Sequence, residues 1–273
     1  MRTPVQFYRE VLAALANSDI PFLIGGGFAF CRHAGIDLRT KDLDLMIEQH
    51  TWPALARVLR ARGIYATLKF PHWLGKALSP DGQVDIIFNS GAGVSPVNAS
   101  WFTHSVRATV LGHRVRLCGV EEMIWSKAFV MERERFDGAD VMHLIRARAD
   151  VMDWERLRHH FRGHEPVLLA HLILFRYVYP SERQRIPAWL TRELTQADAR
   201  NFRGRRVCRG TYLSRAQYLV DVEQWGYADA RLPPFGDMSP RHLQLWTDAI
   251  DTQRSRVRER RRRGTPAKRR MTA

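Results

Sequence analysis

Asp42 and Asp44, separated by one residue in RTKDLDLMI, are the side chains whose type and spacing best suit chemistry. Alternate residues of a strand share a face, so both carboxylates project from one side, about 7 Å apart. Leu43, Leu45 and Ile47 face the other way, and Met46 extends the acidic side. Like charges held this close on an apolar strand are unfavourable unless a cation offsets them. Mg²⁺ is suited to that task, because it takes one or two carboxylates together with substrate phosphates. A third acid, Asp85, lies in the strand-like run QVDIIF. If the two strands are neighbours, Asp85 joins the same face. Three such acids suit two Mg²⁺ ions about 4 Å apart, with Asp85 holding the second ion or accepting a proton.

The elements around these acids must position them. PFLIGGG reads as a buried strand ending in three glycines, and FAFCRHAG as a short helix leaving that turn. Gly25, Gly26 and Gly27 let the backbone bend tightly and approach a ligand. The helix leaving the turn aims free N–H groups at an anion such as a triphosphate. The first helix, near residues 5–16, repeats apolar side chains at Tyr8, Val11, Leu12 and Leu15. WPALARVLRARG predicts a helix with Thr51 as N-cap, Pro53 in its first turn and Gly63 at its end. YATLKF and KALSPDGQVDIIFN supply strands around a PDG turn, and HSVRATVLGHRVRLCG a hairpin turning near Gly112.

After Gly119 the period becomes helical. VEEMIWSKAFVMERERF and DGADVMHLIRARAD predict helices, and VLLAHLILFRYVY a buried one. Ser214 and Gln217 form a capping-box pattern that opens a helix stopped by Gly226. The expected architecture is α/β (α+β): a small mixed-sheet core over residues 1–150, then a mostly helical region. That region, 151–253, suits acceptor binding, and 254–273 form a basic tail.

Cys31, Cys118 and Cys208 are few and widely spaced, which excludes a zinc knuckle or a disulfide framework and fits a reducing cytoplasm. His72, His104 and His113 lack metal-site spacing, and His143 reads as a packed helix histidine. The most apolar segment, broken by His171 and Arg176, is too short to span a bilayer, so no membrane partner is expected. Of the net charge of +15, the tail from Arg254 carries ten Lys/Arg against one Glu, or +9, leaving +6 for the rest. Such a tail repels itself, is expected to be disordered alone, and suits contact with RNA or another polyanion.

The combination IGGGFAF, RTKDLDLMI and VDIIF resembles the nucleotidyltransferases of the DNA polymerase beta superfamily. GGG followed by GIDLRTKDLDL resembles the bacterial minimal and AbiE-type members, where an Arg-Thr or Arg-Ser precedes the acidic pair. The likeness covers residues 20–145. It implies transfer of NMP from an NTP to a hydroxyl, with Asp42, Asp44 and Asp85 as catalytic metal ligands for two Mg²⁺ ions. It also implies a helical cationic element, here KAFVMERERFDGADVMHLI, with Lys127, Arg133, Arg135, Asp137 and Asp140 as matching types. Lys127 or Arg135 would neutralise the triphosphate or leaving pyrophosphate, held in place by the two aspartates. Arg39 would contact phosphate or brace Asp42. An RNA or protein acceptor is favoured by the cationic tail. Adenylylation of an antibiotic, a non-catalytic nucleotide-binding role, and a toxin–antitoxin or phage-defence setting are the other expectations.

Overall fold

The computed structural model describes residues 3–37, 40, 42–90, 93–200, 206–214 and 216–245. The basic tail and Arg39 therefore lie outside the described residues. Helix α1 (Pro4–Ala16) opens with a capping box, in which Thr3 Oγ1 accepts from the Gln6 amide and Gln6 Oε1 accepts from the Thr3 amide. Its stripe of Phe7, Tyr8, Val11, Leu12 and Leu15 is buried. Strand β1 (Leu23–Ile24) is short, and of the three glycines only Gly25 belongs to the turn after it; Gly26 and Gly27 already lie in helix α2 (Gly26–Ala34). Strand β2 (Leu43–Met46) comes next, then helix α3 (Trp52–Ala61). Thr51 occupies the N-cap position of α3 without capping it. Its hydroxyl donates instead to the Glu48 carbonyl, inside the short 3₁₀ turn that leads in.

Strands β3 (Tyr65–Phe70), β4 (Leu74–Ser79) and β5 (Gly82–Ile87) form an antiparallel run. After helix α4 (Ala99–Thr103), strands β6 (Val106–Val110) and β7 (His113–Leu117) make the expected hairpin. Its two-residue turn places Leu111 and Gly112 at positive φ, the geometry that matches the twist of the flanking strands. The strands assemble in the order β3-β4-β5-β2-β1-β7-β6, with β2 parallel to β5 and β1 parallel to β7. This mixed sheet bears out the α/β expectation.

Helix α5 (Val120–Ala128) ends earlier than its period predicts. MERERF forms a hairpin of β8 (Met131–Glu132) and β9 (Arg135–Phe136), and helix α6 (Gly138–Arg148) begins beyond Asp137. The charged run satisfies its backbone in the hairpin, where Ser214 Oγ donates to Glu132 at 2.6 Å. Helices α7 (Trp154–His160), α8 (Glu165–Val178) and α9 (Ala188–Arg200) come after it. Beyond them β10 (Val207–Cys208) and β11 (Ala228–Asp229) pair in parallel around helix α10 (Leu219–Glu223). Ser214 Oγ does accept from the Gln217 amide at 3.2 Å. The chain first makes a turn beyond that contact, so the predicted long helix shrinks to five residues. A continuous core runs from Phe7 on α1 to Leu194 on α9. Among the described residues, no helix is long and apolar enough to cross a membrane.

Candidate active site

Asp44 sits in the middle of the sheet because Leu43 and Leu45, both fully buried, anchor β2 from its other face. The parallel pairing of β2 and β5 sets Asp44 directly beside Asp85. Asp42 lies at the exposed approach to β2. The structure thus brings the acids of two strands to one face, as adjacency required.

Helix α2 starts on top of these acids. The Gly25 amide donates to the Asp44 carbonyl at 2.9 Å. A side chain on Gly26, whose φ is +51°, would place its Cβ 1.7 Å from Asp44 Oδ2. On Gly27 a Cβ would fall 2.5 Å from Thr40 Oγ1, and on Gly25 one would meet the Met46 side chain. The three glycines therefore approach, within the protein, the acidic strand and the loop before it. Their absent side chains let the helix N-terminus settle onto Asp44. Gly25, at the N-cap position of α2, has no side chain with which to cap that terminus.

The electrostatics arise from this crowding. Burial, then the charges of Asp85 and Asp42, push the Asp44 carboxyl up to about 6. Lys127 and Arg135 oppose that rise, so their fields reach the strand acids from the helical side. Tyr8 of α1 is buried beside the same group; burial and the three aspartates push its phenol up. Asp85 has its own counter-charge: Lys76 Nζ donates to its Oδ1 at 2.5 Å.

The second cluster is built by α5, the β8–β9 hairpin and α6. Lys127 Nζ donates to Asp137 Oδ2 at 2.9 Å and to Asp140 Oδ2 at 2.6 Å. Arg135 clasps Asp137 with two bonds, of 2.7 and 2.8 Å. Burial pushes the Asp137 carboxyl upward, but the Arg135 hydrogen bonds and the Lys127 charge outweigh it and hold the group below the usual carboxylate range. Lys127 Nζ also lies 6.0 Å from the ring centroid of Phe30, on α2. Asp137 is not within the helix that DGADVMHLIRARAD predicts, but at its N-cap position. The two acids converge on one lysine all the same.

Among the described residues, no three His, Cys, Asp or Glu side chains are grouped to hold a metal ion. Asp42 and Asp44 nevertheless fit one Mg²⁺: their oxygens are hard ligands, and the raised Asp44 carboxyl marks negative charge that a cation would offset. Asp85 differs, being already engaged by Lys76.

Lys76 and Tyr8 are the neighbours that sequence reasoning passed over. The signal for Lys76 was present in the PDG turn. Counting outward from the Ser79↔Gly82 pair across two turn residues puts Lys76 opposite Asp85. Tyr8 looked like one more apolar position on α1.

The family model for aminoglycoside-2''-adenylyltransferase matches residues 8–87. Among solved structures, the chain is similar to the antibiotic-resistance factor ANT(2'')-Ia. Identity is 21%, with 61% of this chain and 95% of that one covered and a TM-score of 0.43. A putative nucleotidyltransferase from Thermotoga maritima is 12% identical over 43% of this chain and 78% of its own, with a TM-score of 0.35. JHP933 from Helicobacter pylori is 13% identical over 94% and 96%, with a TM-score of 0.37. No curated protein matches. Residues 8–87, which hold most of α1, the glycine turn and Asp42, Asp44 and Asp85, are thus similar in sequence to a nucleotidyltransferase, a transferase of the superfamily that the motifs resemble.

Proposed function

We propose that the protein is an Mg²⁺-dependent nucleotidyltransferase that moves NMP from an NTP to a hydroxyl and releases pyrophosphate. The observation that carries this reading is the juxtaposition of Asp44 and Asp85 on paired strands beneath the glycine-built start of α2. Mg²⁺ held by Asp42 and Asp44 would neutralise the triphosphate and polarise its α-phosphate. The α2 N-terminus suits the triphosphate, since its amide groups and dipole favour anions. Arg135, clasped by Asp137 yet with a side chain 67% exposed, keeps its guanidinium accessible to phosphate, while Lys127, at 14%, is braced by two aspartates and supports it. The acceptor oxygen attacks the α-phosphorus, and the bond to the bridging oxygen breaks. Pyrophosphate leaves with the electron pair, and the hydroxyl proton passes to Asp85.

The acceptor we favour is an RNA or protein hydroxyl, because a chain of net charge +15 attracts polyanions. A small-molecule antibiotic is the second reading, favoured by the family match over residues 8–87. Incubation with each α-labelled NTP and separate RNA, protein and aminoglycoside pools tests both. Label should enter one pool, require Mg²⁺ and vanish in the Asp42→Ala/Asp44→Ala variant. Absence of metal-dependent label in every pool would count against the reading.

A further inference from the structure

Lys76, Asp85 and Asp44 lie in one row across three neighbouring strands. Lys76 on β4 is the antiparallel partner of Asp85 on β5, and Asp85 is the parallel partner of Asp44 on β2. Directly paired residues project from the same face, so the row reads cation, anion, anion. The lysine is no loose surface group. Its side chain is 16% exposed and that of Asp85 22%, the bond between them is 2.5 Å, and β4 is flanked on both sides by strands. The two-residue turn after Ser79 fixes its register. The charge is therefore unevenly met: Asp85 has a cation supplied by the chain, whereas Asp44 is crowded by Asp85 and Asp42.

From this row we infer, resting on the nucleotidyltransferase reading, that the site is built for one divalent cation rather than two. The ion sits at Asp42 and Asp44, and Lys76 supplies at Asp85 the positive charge a second ion would bring. An ammonium on Oδ1 repels a divalent ion from the same carboxylate. It leaves Oδ2 of Asp85 as the acceptor for the hydroxyl proton. Lys76 is thus a positioning residue: it orients Asp85 and sets the metal count.

The test counts metal rather than turnover. Mn²⁺ bound per chain is measured by electron paramagnetic resonance on the full chain, with α,β-methylene analogues of ATP and GTP tested in turn. Wild type should bind one Mn²⁺, lost in Asp44→Asn. Lys76→Met should bind a second, lost again when Asp85→Asn is added, and Lys76→Arg should stay at one. Lys76→Gln, carried in parallel, replaces Lys76→Met if that variant does not fold. Two Asp85-dependent ions in wild type, or a single ion in both neutral variants, would overturn this inference and leave the transferase reading standing. No Asp44-dependent Mn²⁺ in any of the proteins would overturn both.

Discussion

Asp44 and Asp85 on the sheet, and Glu121 and Glu122 on α5, are both carboxylate pairs drawn away from bulk water, yet they are treated in opposite ways. Glu122 is completely buried and Glu121 nearly so, but one guanidinium serves both: Arg156 of α7 donates from Nη1 to Glu122 and from Nη2 to Glu121. His160 adds a contact to Glu122 at 3.2 Å and stacks on Trp125 with centroids 4.5 Å apart. The Asp153 amide donates to Glu121 at 2.7 Å. Burial alone would push the Glu122 carboxyl up; hydrogen bonds from His160 and Arg156 bring it below its ordinary value. The sheet acids end the other way, with Asp44 raised to about 6. The helical pair is bridged by a guanidinium that joins α5 to α7, whereas the strand acids remain open to a cation from outside. Of the two acidic pairs, the partly exposed one with a raised carboxyl is the candidate for chemistry.

That contrast can be broken from either side. Asp44→Asn is expected to lower nucleotidyl transfer on the order of 10³-fold. It should also stabilise the metal-free protein at pH 7, by at most about 3 kcal/mol. The sign comes from linkage: above pH 6 Asp44 is charged in both folded and unfolded chains, and only the folded one suffers the crowding. The advantage should shrink as pH falls from about 6 toward the ordinary carboxyl value of 3.8. Melting curves with a chelator across that range check it, and a destabilised Asn variant at pH 7 would contradict the open-site reading.

Arg156→Met attacks the closed cluster. Two buried glutamates lose their shared partner, and a loss of about 3–5 kcal/mol is expected from urea unfolding. Adding Glu121→Gln and Glu122→Gln should recover most of it. Gly26→Ala is smaller and local. Its φ of +51° and the Asp44 contact predict a loss of about 1–2 kcal/mol and weaker nucleotide binding. Gly35→Ala, at φ +67° with open space around it, should cost about 1 kcal/mol and leave nucleotide binding unchanged. Glu155→Ala removes an exposed partner of Arg158 and should shift stability by less than about 0.5 kcal/mol in the same urea assay.

Legibility in the sequence tracks the range of the forces involved. The alternation of Leu43, Asp44 and Leu45 is local, so strand and face were legible. The adjacency of β2 and β5 was not, because strands some forty residues apart in sequence carry no mutual label. The Lys127, Asp137 and Asp140 types were legible as a group. The β8–β9 hairpin between them was not: MERERF has neither glycine nor proline to announce a turn, and its partner Ser214 lies far along the chain. Lys76 was legible by counting from the PDG turn but looked like an ordinary strand lysine. Tyr8 was hidden by its own apolar periodicity.

The two-residue turn at Pro80 and Asp81 has a consequence for how this site can vary. Strand side chains alternate faces with a period of two, so a single inserted residue that shifted β4 by one position would carry Lys76 to the opposite side of the sheet. Ala77, now fully buried beneath that sheet, would be exchanged toward the acidic face. A length change of one residue at the protein surface would then act as a charge substitution in its interior, with no alteration to any acid. Loop length at this hairpin is in that sense part of the active-site sequence.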